Sequence, residues 1–111
     1  MGRNQTLDHT ALLVLSLLSQ GDMYGYQMIA ELERQSDHTF EMKEGTLYPI
    51  LHGLERSGAV ESYRTLAPSG RERKYYRLTE KGSALLKAEA EQWRRYSHGV
   101  NAVLEQAMGL A

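Results

Sequence analysis

The sequence predicts a mainly α fold with one small β hairpin and a long terminal helix, and three observations predict it. The stretch Glu44–Gly58 places Leu47, Ile50, Leu51 and Leu54 at spacings of three, four and seven, which makes one apolar stripe on a short helix. Two strand-like runs follow, Val60–Leu66 and Arg73–Leu78, joined by the turn-rich segment Ala67–Glu72 with its Pro68-Ser69-Gly70. Beyond Thr79 the apolar residues fall into two rows of period seven, Leu86, Trp93, Val100, Ala107 and Ala90, Ser97, Leu104. A short helix followed by a basic-tipped hairpin is the layout of a winged helix-turn-helix. The chain divides accordingly into 1–79, that domain, and 80–111, a C-terminal dimerisation helix.

The elements follow in order. Residues 1–6 are polar. A first helix is expected over His9–Ser19, with Asp8 as N-cap and Leu7 and Leu12 spaced as a hydrophobic staple. Leucines on more than one side make it central. A second helix, Tyr24–Gln35, sets Gly25, Met28, Ile29 and Leu32 on one face, and Ser36-Asp37-His38 breaks it. Thr39–Met42 reads as a short strand bordering the hairpin. In the third helix Thr46 is the expected N-cap and Pro49 falls in the first turn, where its missing N–H costs little. Tyr48, His52, Glu55 and Arg56 line its polar face, and Ser57-Gly58 ends it. In the return strand Tyr76 and Leu78 alternate with Tyr75 and Arg77. The last helix starts on Thr79 as N-cap with Glu80 in its first turn and runs to about Met108.

Composition narrows the function classes. A chain of 111 residues suggests one small domain with a modest core, which a partner subunit would help. It has no Cys, hence no disulfide framework and no thiolate metal site, in keeping with a cytoplasmic location. No signal-peptide pattern is read, and the longest apolar run, Ala11–Leu15, is too short for a bilayer. Net charge is −1, yet its distribution is uneven. Residues 1–55 hold three basic and eight acidic groups, whereas residues 56–81 hold seven basic and three acidic. A positive segment on an acidic chain is a candidate phosphate-facing surface; a solvated hairpin reads equally well on charge alone. The four His lie far apart, with no metal-ligand spacing, Gly-rich phosphate loop or nucleophile motif, so neither catalysis nor a metal or cofactor is expected.

Gly45-Thr-Leu-Tyr-Pro49, then Leu54-Glu55 and Gly58, Arg71, and Lys74-Tyr-Tyr-Arg-Leu-Thr-Glu-Lys-Gly82 resemble the PadR family of bacterial winged-helix transcriptional regulators, and Tyr24-Gly25-Tyr26 fits the same pattern. The single C-terminal helix resembles the shorter subgroup. The resemblance implies a dimeric repressor on a palindromic operator, released by a small molecule. It further implies that Trp93 of the last helix faces a planar aromatic effector at the dimer contact. One departure stands: where many relatives carry basic residues, this chain has His52-Gly53, so the operator sequence does not transfer.

Double-stranded DNA is thus the expected partner. Phosphate work falls to Tyr48, Arg71, Arg73 and Lys74, and base-edge contacts to Lys43, Glu44, Thr46, His52 and Arg56. Each has a rival: Tyr48 as packing, His52 as a solvated surface group, Arg56 paired with Glu55 or a strand carboxylate, Arg73 and Lys74 as edge-strand charges. The expected dimer seam is Leu86, Ala90, Trp93, Tyr96, Val100 and Leu104; the alternative folds this helix back onto the chain's own first helix. Trp93 can be core at that contact or a stacking platform. The rival function is a dimeric small-molecule-binding or protein-interaction module that has lost DNA binding.

Overall fold

The computed structural model describes residues 9–109. Along the chain run α1 (His9–Leu18), β1 (Met23–Tyr24), α2 (Gly25–Gln35), α3 (Glu44–Arg56), β2 (Val60–Leu66), β3 (Glu72–Leu78) and α4 (Glu80–Ala107). The expected Asp8 cap and Leu7 staple lie outside the described residues.

α1 is the centre of the core because its apolar residues point several ways. Val14, Leu15, Leu17 and Leu18 are all buried. Met28 and Leu32 of α2, Leu47, Leu51 and Leu54 of α3, and Val60 and Tyr76 of the sheet close around them. The stripe read from α3 is the stripe that is buried, with Ile50 packed at its margin. α2 ends in a turn where Asp37 and His38 both adopt positive φ, 54° and 65°.

The sheet is antiparallel, in the order β1-β3-β2. Val60 pairs with Leu78 and Leu66 with Glu72 across the hairpin, and Met23 and Tyr24 pair with Tyr76 and Tyr75. The hairpin tip is closed by Gly70 N–H on the Ala67 carbonyl and Ala67 N–H on the Arg71 carbonyl, both 2.8 Å. The third strand is therefore Met23–Tyr24, and Thr39–Met42 is a loop. The left-handed turn at residues 37–38 leads into this segment, of which only Met42 is even half buried, so it offers no apolar face to a sheet.

α3 begins two residues earlier than its expected cap. Lys43 is the N-cap, its carbonyl accepting from the Thr46 and Leu47 N–H groups, and Thr46 lies inside the first turn. Pro49 consequently sits in the helix interior and removes the donor that would meet the Gly45 carbonyl. The helix closes at Ser57, and Gly58 follows at φ +86°.

α4 starts as expected: the Thr79 hydroxyl accepts from Gly82 N–H at 3.0 Å and donates to the Gly58 carbonyl at 2.6 Å. Gly82 is buried, and a Cβ there would run into the Ala59 carbonyl, so the absence of a side chain lets α4 cross the end of β2. The helix's 28 residues reach about 42 Å at 1.5 Å per residue. They account for the 56 Å long axis of a body only 28 × 23 Å across.

Candidate nucleic-acid interface

The outward side of α3 carries Gly45, Thr46, Pro49, His52 and Arg56, all exposed and spaced to share one face of the helix. Lys43 and Glu44, at its start, are exposed as well. Arg56 makes no ion pair among the described residues, which removes its pairing rival. Glu55 does not belong to this face. It is half buried and accepts from the Ser62 hydroxyl at 2.7 Å, which ties α3 to β2. Tyr48 is also turned aside, half buried, with its ring against the first turn of α2. A side chain at Gly25 would collide with the Tyr48 phenol, so Gly25 is what admits the ring. Burial, then the neighbouring Tyr76 phenol and the charge on Glu44, raise the Tyr48 pKa above the ordinary phenol value, so it remains a neutral donor at neutral pH.

The hairpin separates residues that the sequence groups together. Successive side chains of a strand point to opposite faces. Tyr76 is buried against the core, so Lys74 and its cross-strand partner Arg64 lie on the α3 side of the wing. Lys74 places its ammonium 5.5 Å from the Tyr76 ring centre. Arg73 points the other way and lays its guanidinium over the Tyr24 ring at 4.8 Å. Arg71 is exposed at the tip. β3 is the middle strand only at Tyr75 and Tyr76, where β1 pairs with it; at Arg73 and Lys74 it has β2 alone beside it, so the edge-strand rival stands there.

A ladder of rings and cations covers the outer sheet face. Arg73 lies on Tyr24, Tyr24 meets Tyr75 edge-on, Tyr75 stacks on Tyr63, and Arg77 lies over Tyr63 at 4.9 Å. Asp22 fastens the ladder to the end of α1: it accepts from the Tyr63 hydroxyl at 2.6 Å and lies 3.7 Å from Arg77. That hydrogen bond to the carboxylate raises the Tyr63 pKa. Arg77 also reaches Glu61 at 3.5 Å, so its charge is spent within the sheet. Arg64 is a candidate interface cation that the sequence reading did not single out. Strand alternation finds it once the hairpin register is known, and the register depends on a loop geometry that the sequence leaves open.

The α4 rows divide into two parts. Leu86 packs on the core and Ala90 is half buried, both near α1. Trp93 meets the His9 ring edge-on at 4.5 Å and Tyr96 at 5.8 Å, yet remains 40% exposed. Further along, Tyr96, Val100, Val103 and Leu104 lie bare, with Leu104 51% exposed. The fold-back alternative therefore holds for the first half of α4 and fails for the second. Among the described residues no helix is long and apolar enough to cross a membrane, and no three His, Asp or Glu side chains gather as a metal would need.

This arrangement can be compared with known proteins. The pattern of the Transcriptional regulator PadR-like family matches residues 14–88. The Transcriptional regulator Rv3488 of Mycobacterium tuberculosis is 36% identical over 73 residues, 66% of this chain and 64% of that one. A PadR family transcription regulator from Clostridium difficile superposes with a TM-score of 0.74 at 33% identity, over 86% of this chain and 98% of its own. A PadR-like transcriptional regulator from Bacillus cereus gives 0.79 at 28% identity, over 92% and 98%. With its three-stranded sheet, buried α3 stripe and long α4, the chain belongs to the PadR-like family of transcriptional regulators.

Proposed function

We propose that the chain is a ligand-responsive repressor that binds a palindromic operator as a homodimer. The outward row of α3 enters the major groove, where Thr46, His52 and Arg56, with Lys43 and Glu44 at its start, meet base edges. Arg64, Arg71 and Lys74 rest on the flanking phosphates, which supply affinity and register. One observation carries this reading. On a chain of net charge −1, Arg56, Arg64, Arg71 and Lys74 remain without ion pairs among the described residues, on or beside the α3 side, while Arg77 is neutralised on the opposite face.

The bare half of α4 supports the dimer. Val100 and Leu104 continue the seven-residue rows, with Tyr96 and Val103 beside them, past anything the described residues cover, and a second α4 has the matching surface. Trp93, exposed beside His9 and Tyr96 at the start of that surface, is placed to stack on a flat aromatic effector. Such a ligand releases DNA only if it binds one spacing of the two wings better than another.

Selection of bound sequences from random duplex DNA tests the reading. A two-fold symmetric site is expected, with half-sites about one helical turn, roughly 34 Å, apart. A pure, dimeric sample that enriches no duplex at low ionic strength overturns it and leaves the interaction-module reading in its place.

A further inference from the structure

Past Tyr63 and Tyr75 the hairpin overhangs the rest of the molecule. From Lys74 to the tip β3 has only β2 beside it. Among the described residues no side-chain hydrogen bond or ion pair ties residues 64–74 to an element off the hairpin. Arg64, Lys74 and Arg71 all ride on this overhang. Their place relative to α3 is therefore decided at its root. There two consecutive residues of β2 are gripped from opposite faces. Side chains of a strand alternate, so Ser62 shares a face with its partner Tyr76, and Tyr63 shares the other with Tyr75. On the first face the Ser62 hydroxyl donates to the Glu55 carboxylate, at the end of α3, at 2.7 Å. On the second the Tyr63 hydroxyl donates to the Asp22 carboxylate, in the turn after α1, at 2.6 Å. Both bonds are short, as hydrogen bonds to a carboxylate are. One such bond alone would be a pivot, and two from opposite faces make a fixed joint.

We propose that Asp22 and Glu55 form a two-sided clamp on β2 that sets the angle of the wing to α3. They are positioning residues. Neither meets DNA, and each acts through a β2 hydroxyl on the cations farther along the hairpin. Glu55 belongs to α3 itself, so its bond to Ser62 ties wing and helix together directly. Asp22 references the same strand to the end of the buried helix α1. β2 ends at Leu66, three residues past Tyr63, roughly 10 Å at 3.3 Å per residue, so a small change of angle at the clamp grows toward Arg71. The effect on affinity rests on the DNA-binding reading proposed above, whereas the effect on the wing angle does not.

The test uses the full chain with Ser62→Ala and Tyr63→Phe, each losing one hydroxyl while the strand pairing and, in the second, the ring are kept. Affinity for a short random-sequence duplex at low ionic strength should fall about fivefold for each, as for the loss of one net hydrogen bond. The loss should shrink when Arg64 and Lys74 are both Gln, because a clamp works through what the wing carries. Wild-type affinity in both variants, or an equal loss in the Gln background, overturns the proposal. A second measurement does not depend on duplex binding. The chain has no Cys, so Ser69→Cys offers one site per subunit for a nitroxide at the wing tip. Its paramagnetic broadening of the α3 amides reads the geometry between tip and helix. Tyr63→Phe and Ser62→Ala should each redistribute that broadening, and the two together should do so most. A double variant with the wild-type pattern refutes the clamp. If the wild type ignores every duplex yet the pattern changes, the DNA reading falls and the clamp stands.

Discussion

Arg64 and Lys74 face each other across the hairpin on the side that α3 occupies, whereas Arg77 is tied to Asp22 and Glu61 on the other face. Replacing both Arg64 and Lys74 with Gln removes two cations that, on the reading proposed here, each neutralise one phosphate. Each such contact contributes about 0.9 to the slope of log affinity against log salt, so the pair should flatten that slope by about 1.8 per subunit. For the proposed dimer the two subunits together flatten it by about 3.6, so over a fourfold rise in salt, from about 50 to about 200 mM, the wild type should lose about 150-fold more affinity than the double variant. Arg77→Gln is the matched control and should leave the slope untouched. Fluorescence anisotropy on a labelled duplex at several salt concentrations measures all three. A double variant with the wild-type slope, or an Arg77 variant that flattens it equally, refutes the face assignment.

Three other outcomes are expected. Gly82→Ala gains about 1 kcal/mol of helix propensity but drives a methyl group into the Ala59 carbonyl, at a cost of about 1–3 kcal/mol; urea unfolding should show a net loss of stability. Leu104→Glu puts charge into the bare half of α4 and should yield monomers by light scattering, a dimer at micromolar concentration contradicting the seam. Burial raises the phenol pKa values of Tyr48 and Tyr76 above 10.0. A raised folded-state value means stability that is complete below pH 10.0 and is lost as pH climbs through the folded pKa. The urea midpoint should therefore hold level to about pH 10 and then drop, and Tyr76→Phe should blunt the drop.

What was legible in the sequence was what a local period or a local cap decides. The Leu47–Leu54 stripe, the Gly58 stop, the Thr79 cap and the inward alternation of Tyr76 and Leu78 all follow from neighbours a few residues apart, and all appear in the fold. What stayed hidden depends on distant partners. Met23–Tyr24 is too short to announce a strand and becomes one only because Tyr75 and Tyr76 lie alongside it. Arg64 joins the interface cations only through a register set by the hairpin tip. Gly82 in the first turn of α4 is explained only by the Ala59 carbonyl, outside that helix, which needs the space. The bond between Asp22 and Tyr63 spans 41 residues.

Pro49 inside α3 leaves the Gly45 carbonyl without its usual helical partner, and the proline ring crowds that oxygen. The first turn of α3 is thus joined to the rest of the helix by one bond fewer than its length implies. The positions that the proposed reading sends to base edges at the start of α3 ride on its most loosely bonded turn.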